Sequence, residues 1–256
     1  MNLYFDESVE IGYNSASQKA RVLTEKWVEQ NMFCPRCGNP HMRHFENNRP
    51  VADFYCESCR NEFELKSKSG KLGSKISDGA YDTMIQRITS NSNPDFFFMS
   101  YSAKELCVTD FIVVPKCFLV PDMIEKRKPL AQTARRAGWV GCNILIDKIP
   151  EQARISVISA GRVNNSQAVV EKLGKINRLA VRDINSRGWI VDVLQCINAI
   201  PKRDFELSEV YAFERELQIR HPQNNNIRAK IRQQLQLLRD KGFVEFSGNG
   251  HYRKIV

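Results

Sequence analysis

Four cysteines constrain this chain before anything else does. Cys34, Cys37, Cys56 and Cys59 stand in the order C-x2-C-x18-C-x2-C. Two residues between cysteines make a tight knuckle whose sulfurs both point at one ion. The separation between the pairs lies in the range of a tetrahedral four-cysteine zinc site. Gly38 follows Cys37, where a knuckle turns most easily without a Cβ. A redox pair or free core thiols is the plainer reading of cysteines in general, but two such units at this spacing favour Zn2+. A rival set of Cys34, Cys37, His41 and His44 would leave Cys56 and Cys59 unexplained. Four closed protein ligands make the expected ion structural rather than catalytic.

A second pattern interlocks with the first. Asp53, Glu64 and Lys66 form D-x10-E-x-K. The stretch 62–66 alternates polar and apolar, so a strand there sets Glu62, Glu64 and Lys66 on one face and Phe63 and Leu65 on the other. A second short strand over 50–55, paired with the first, would bring Asp53 beside Glu64. Two close carboxylates repel, and a hard divalent cation such as Mg2+ relieves the repulsion through oxygen ligands. Lys66 would then position or help deprotonate a water and steady negative charge on a phosphate. E-x-K alone is short enough to arise by chance, and its bland reading is an exposed strand edge with solvated charges. The upstream P-x-x-D, the alternation and the basic surroundings favour a metal-dependent nuclease.

Charge points the same way. The 256 residues carry a formal net charge of +9, and the isoelectric point is about 9.2. Such a balance favours a polyanionic partner, and nucleic acid over membrane, because no basic amphipathic anchor is visible. No N-terminal stretch has a signal peptide's apolar core, and no run of about 18 apolar residues occurs. The expectation is a reducing bacterial cytoplasm, with Cys107, Cys117, Cys142 and Cys196 as buried thiols.

Taken in order, the chain predicts a helix over 17–30, capped by Ser17 and burying Ala20, Leu23, Trp27 and Val28. Residues 66–75 hold four lysines with glycines and serines and predict a mobile loop, either solvated or touching phosphates. A helix is expected over 78–90, then buried strands at 96–99 and 111–114. Strand, strand, helix, strand, strand is an α/β order. Pro129, Gly138 and Gly141 punctuate a basic loop over 125–143 that contains Arg135, Arg136 and Trp139. A strand at 155–158 and a short helix at 166–173 follow.

A domain boundary is expected near 184, in the polar segment 181–188. Beyond it come helices over 189–197 and 207–219, with Asn224–Asn226 offering an N-cap to a third. Ile227, Ile231, Leu235 and Leu238 fall at helical spacing, and Arg228, Lys230, Arg232 and Gln233 lie off that stripe. Gly242 ends the helix, and 243–246 with 251–255 make a hairpin around Ser247–Gly250. Helices followed by a β-hairpin wing predict a winged helix whose last helix enters the major groove, where Arg suits guanine and Gln suits adenine. Use for protein contact instead is the bland reading, against which the charge of the last helix weighs.

The segments HFENNRPVADFYC (44–56), EFELKSK (62–68), DGAYDTM (78–84), NPDFFF (93–98), RKPLAQTARRAGWVGCNI (127–144), NSRGW (185–189) and KIRQQLQLLRDK (230–241) resemble the DpnI family of methyl-directed, type IIM restriction endonucleases. The similarity runs from Ser17 to Lys254 and is weakest in 103–109 and 145–184. It implies a PD-(D/E)xK nuclease domain over 1–184, an α/β restriction-endonuclease-like core with an inserted four-cysteine zinc site. A small winged-helix DNA-binding domain would follow over 185–256. It also implies catalysis by Asp53, Glu64 and Lys66, Mg2+ on Asp53 and Glu64, and Zn2+ on the four cysteines. The implied substrate is double-stranded DNA with N6-methyladenine in GATC, read by both domains and cut by a monomer. The pattern departs from the family motif at one point, since Val51 and Ala52 separate Pro50 from Asp53. The resemblance favours DNA reading by the 125–143 segment, with Trp139 against the methyl group and Arg135 and Arg136 on backbone or bases. The alternative is a zinc-ribbon, winged-helix regulator without catalysis, and a structure-specific nuclease stands third.

Overall fold

Phe96, Phe97, Phe98 and Met99 are fully buried, and the strand they build is the middle of the larger sheet. The computed structural model describes residues 1–46, 52–90, 92–179 and 184–255. They divide into two compact units, Met1–Ile149 with Ala153–Gly174, and Pro150–Gln152 with Lys175–Val256. The polar segment read as a boundary begins at residues 181–183, outside the described residues. Among the described residues, no helix is long and apolar enough to cross a membrane.

The first unit is a mixed α/β domain. Its elements in order are α1 (Ala16–Asn31), β1 (Arg43–His44), β2 (Phe54–Tyr55), β3 (Glu62–Ser69), β4 (Lys75–Ala80), α2 (Tyr81–Thr89), β5 (Asp95–Ser102), β6 (Cys107–Val114), β7 (Ile124–Lys126), β8 (Gly141–Leu145), β9 (Ile155–Ser159) and β10 (Arg162–Val163), before α3 (Ser166–Asn177). A seven-stranded sheet runs β1-β2-β3-β5-β6-β9-β10, and β4-β8-β7 form a separate three-stranded sheet. The β3–β5 pairing is parallel and joins antiparallel strands on either side.

Side-chain alternation on β3 divides the two faces of the large sheet. Phe63 stacks on Phe97 at 4.7 Å, Phe97 meets Phe111 at 5.1 Å, and Phe111 meets Trp27 of α1 at 5.8 Å. Ser67, on the same face, lies 3.3 Å from Thr24 of α1. The amphipathic face of α1 therefore covers the Phe63 side, with Leu23, Trp27 and Val28 buried. Glu64 and Lys66 point the other way, toward Asp78 and Arg87, which β4 and α2 carry.

Several local expectations shift. Helix α1 begins one residue earlier, with Ser15 rather than Ser17 at its N-cap and no side-chain cap bond. The lysine segment is half strand: β3 continues to Ser69 beside β5 and β4 starts at Lys75, leaving a short glycine turn. Gly70 and Gly73 both take positive φ there, at 80° and 66°. The helix expected from 78 starts only at Tyr81, because residues 75–80 pair with β8. The basic segment 125–143 is a hairpin whose arms are β7 and β8. The strand expected over 50–55 is described only from Ala52, and Pro50 and Val51 lie outside the described residues. Of the scattered cysteines, Cys117, Cys142 and Cys196 are buried and Cys107 half-buried.

The second unit is a winged helix. Its elements are α4 (Ile184–Ala199), β11 (Asp204–Glu206), α5 (Leu207–Tyr211), α6 (Glu214–Arg220), α7 (Ile227–Asp240), β12 (Val244–Gly248) and β13 (His251–Lys254). The strands lie in the order β11-β13-β12. The helix read over 207–219 is broken at 212–213 into α5 and α6. Ile227, Ile231, Leu235 and Leu238 are all buried along α7, as their spacing requires. Asn226 is the N-cap without a side-chain cap bond, and the Asn224 side chain accepts from the Asn226 N–H instead. Gly242 ends α7 at φ 76°.

Phe97 has no exposed surface and touches aromatic rings on two sides. Phe97→Ala is expected to cost about 3–5 kcal/mol in urea unfolding, whereas exposed Lys104→Ala changes stability by less than ~0.5 kcal/mol.

Candidate active site and cysteine cluster

Strand register brings Asp53 to Glu64. Phe54 pairs with Phe63 and Tyr55 with Glu62, and the Asp53 N–H donates to the Phe63 carbonyl at 3.0 Å. The pairing of β2 stops there. The Asp53 carboxylate continues it, accepting the Leu65 N–H at 2.7 Å. Strand β3 is no exposed edge, since it lies between β2 and β5, and Glu64 is only 7 % exposed.

Glu64 has a cation on each oxygen. Lys66 Nζ donates to Oε1 at 2.5 Å, and Arg87 of α2 pairs with Oε2. Lys66 also pairs with Asp78 at the end of β4. Glu64, Lys66, Asp78 and Arg87 line one cleft of about 210 Å³. Burial pushes the Asp53 carboxyl above the ordinary carboxylate range, the Leu65 N–H opposes this, and the Glu64 charge adds to the rise. Burial acts to lower Lys66, but Glu64 and Asp78 outweigh it and hold the ammonium form. A carboxylate buried at such a cost, beside another already claimed by cations, is a donor set that suits a hard divalent ion. Asp78 and Arg87 were not legible in the sequence. Asp78 reads as the start of a helix, and Arg87 sits on the polar face of an amphipathic one, where charges are usually solvated. The Asp78-Gly79 pair just ahead of the periodic stretch was the one available hint of a strand end.

The four cysteines come together. Their sulfurs lie within 4.8 Å of one another, with Cys34–Cys59 and Cys37–Cys56 each at 3.6 Å. Zinc–sulfur bonds of about 2.3 Å give tetrahedral edges of about 3.8 Å, so the cluster is compatible with zinc. The two knuckles repeat one backbone pattern. Gly38 N–H donates to the Cys34 carbonyl and Arg60 N–H to that of Cys56, at 2.8 and 2.9 Å. Both donors take positive φ, so the second knuckle places an arginine where the first has glycine. Burial raises Cys56, but the Cys59 N–H and the Asn39 side chain outweigh it and pull the thiol down to about 6, which favours a thiolate. Arg36, inside the first knuckle, forms a fork with buried Asp95 at 2.6 and 2.7 Å, tying the knuckle to β5. The rival ligand set fails: His44 pairs with Glu25 at 3.3 Å and packs edge-on against Phe54, and His41 is exposed.

The DNA-reading candidates fall in two places. In the β7–β8 hairpin, Arg135 and Arg136 are exposed and Trp139 is half-buried. The Arg136 guanidinium lies over the Trp139 ring at 4.7 Å. The ring packs so tightly on Gly141 that a Cβ there would meet it at 2.8 Å. The Tyr81 N–H donates to the Val140 carbonyl at 3.1 Å, which pins the hairpin to the start of α2. On α7, Arg228, Arg232 and Gln233 are exposed. Arg232 donates to the Tyr211 hydroxyl at 2.7 Å and Arg228 pairs with Glu214 at 2.8 Å. Lys230 is set apart from them, half-buried, with its ammonium 5.9 Å from the Trp189 ring centroid.

The chain is thus an α/β domain with a cleft of paired acidic and basic groups, joined in sequence to a winged helix. The chain belongs to the DpnI family, described as the Dam-replacing family, whose model matches residues 1–182. The Dam-replacing HTH domain matches 185–254. It is therefore a restriction endonuclease carrying a helix-turn-helix domain that binds DNA.

The raised Asp53 carboxyl sets a sign for stability. Its folded form holds a proton more tightly than the unfolded chain does, so stability is lost as pH rises through the folded value. Asp53→Asn removes that loss and can keep the Leu65 contact. In Mg2+-free protein, its melting temperature is expected to gain on the unsubstituted chain between pH 4 and pH 7.5. A gap that stays flat or narrows over that range contradicts a burial cost at Asp53.

Proposed function

We propose that this protein cleaves double-stranded DNA at GATC sites carrying N6-methyladenine, by Mg2+-dependent hydrolysis, as a methyl-directed type II restriction endonuclease. The observation that carries the reading is the buried Asp53–Glu64–Lys66 set on paired strands of a restriction-endonuclease family chain. Residues 1–184 serve as the PD-(D/E)xK nuclease domain and 185–256 as the winged-helix domain, and both read methylated DNA. The site and methyl specificity rest on the family and on the resemblance across 127–144 and 230–241. The enzyme works as a monomer in the bacterial cytoplasm, where a restriction system meets its DNA.

In the reaction, a water oxygen attacks phosphorus in line, the P–O3′ bond breaks, O3′ takes up a proton, and the water's proton passes to solvent. Asp53 and Glu64 would hold Mg2+, which when bound would supply Lewis acidity and make the attacking water easier to deprotonate. Lys66, fixed between Glu64 and Asp78 as an ammonium, steadies the charge that gathers on the phosphate oxygens. That role suits it better than deprotonating the water. Cys34, Cys37, Cys56 and Cys59 would hold Zn2+, which would join the knuckle ahead of β1 to the one that follows β2 and take no part in the chemistry. Arg135, Arg136, Arg228, Lys230, Arg232 and Gln233 contact backbone or bases. A regulator without catalysis would leave a costly buried carboxylate pair with no purpose.

A digest tests the reading. A plasmid containing GATC is incubated with Mg2+ in adenine-methylated and unmethylated forms, and only the methylated form is expected to be cut. Glu64→Ala is expected to lose about 10²–10³-fold or more in rate, the scale of one preorganised electrostatic group, while methyl-DNA binding persists. Binding without any cutting by the unsubstituted chain would favour the regulator.

Trp139→Ala is expected to reduce the preference for methylated over unmethylated duplex by about 1–3 kcal/mol, the scale of one specific base contact. Bulk affinity changes less. Competition binding between the two duplexes reads both, and an unchanged preference removes Trp139 from methyl sensing.

A further inference from the structure

The cleft holds one residue that already occupies the carboxylate a cation would need. Arg87 is half-buried, with its side chain 14 % exposed, and the side chain of its ion-pair partner Glu64 is 9 % exposed. The reading above gives Glu64 to the divalent ion, yet both Glu64 oxygens already carry a cation of the chain itself. Lys66 keeps a second partner in Asp78 if Glu64 turns to a metal. Among the described residues Arg87 has no such second carboxylate in its ion pairing, so a metal on Glu64 would strip a half-buried guanidinium of its counter-charge. The cleft it lines, about 210 Å³, has room for a phosphate.

Charge counting says what fills the gap. Asp53, Glu64 and Asp78 set three negative charges against the two positive charges of Lys66 and Arg87. Among these five groups one net negative charge remains. A divalent cation turns this to one net positive charge, and a phosphodiester returns it to neutrality. Guanidinium geometry suits two phosphate oxygens at once.

We propose that Arg87 occupies the metal's place at Glu64 in the resting site and, once displaced, becomes a catalytic residue that binds the scissile phosphate. Asp78 is the positioning residue that keeps Lys66 from following Arg87 out of place. This rests on Glu64 being a metal ligand. It yields opposite signs in two measurements: Arg87 competes with the metal, so removing it strengthens metal binding, while the loss of its phosphate contact slows cleavage.

The test uses the zinc-loaded full chain. Mn2+ binding without DNA is followed by electron paramagnetic resonance, and single-turnover cleavage of methylated duplex is measured at saturating Mg2+. Arg87→Met is expected to bind Mn2+ about tenfold more tightly, equivalent to about 1.4 kcal/mol, and to cleave at least about 100-fold more slowly. Duplex affinity in Ca2+ should change little. Unchanged or weaker Mn2+ binding overturns the proposal, as does tighter binding with cleavage intact. If Arg87→Met does not fold by circular dichroism and zinc content, Arg87→Lys decides. It is expected to fold, to bind Mn2+ near the unsubstituted level and to cleave about tenfold or more slowly; cleavage at the full rate overturns the proposal. Glu64→Gln separates the two levels: if it binds Mn2+ as the unsubstituted chain does, the reading of Glu64 as ligand fails rather than the role of Arg87.

Discussion

Two residues of strand carry the architecture of the first unit. Strand β2 is only Phe54 and Tyr55, yet Asp53 precedes it and Cys56 follows it. Its pairing with β3 therefore sets the acidic site and the cysteine cluster at once. A pairing this short is marginal by itself. It is held from both ends, by the Asp53 carboxylate on the Leu65 N–H and by the knuckle that begins at Cys56. The Arg36–Asp95 fork then ties the other knuckle to the central strand. The cysteine cluster and the acidic site are linked through covalent neighbours, so an ion in the cluster would help to order the acidic site as well.

The charged residues sit where burial should forbid them. Carboxylates in a low-dielectric cleft are costly unless paired and hydrogen-bonded. The first unit meets this by dividing β3 between its faces. Phe63, stacked on Phe97, belongs to the aromatic core under α1, while Glu64 and Lys66 face β4 and α2. The apolar face makes the strand rigid, and the charged face inherits that rigidity. Preorganised charges need no rearrangement at the moment of reaction, which is why such clusters suit phosphoryl chemistry.

The second unit solves a simpler problem. Helix α7 buries an apolar stripe and leaves Arg228, Arg232 and Gln233 exposed, so one amphipathic helix packs the unit and keeps a polar, basic face open. Tyr211 of α5 organises its basic face, with the Arg228 guanidinium 5.0 Å from its ring centroid and Arg232 on its hydroxyl. The β7–β8 hairpin achieves a comparable display by other means. Trp139 rests on Gly141, where any side chain would collide, and Arg136 covers its other side.

What the sequence determined by itself is what short-range covalent geometry controls. Two residues between cysteines make a knuckle whatever surrounds it, and the two knuckles were readable as one four-sulfur cluster from spacing. Alternation along 62–66 set Glu64 and Lys66 on one face, and the stripe from Ile227 to Leu238 announced α7 and its wing. The tertiary structure alone decided which distant groups face that set. Asp78 is 12 residues beyond Lys66 and Arg87 is 23 beyond Glu64. Their arrival depends on β4 leaving the large sheet to pair with β8, and no local pattern encodes that pairing. The same holds for the first part of the lysine segment read as a loop, which lies as strand against β5 as far as Ser69. Local propensity favours a turn at its glycines and serines, but the parallel partner strand supplies hydrogen bonds that propensity cannot anticipate.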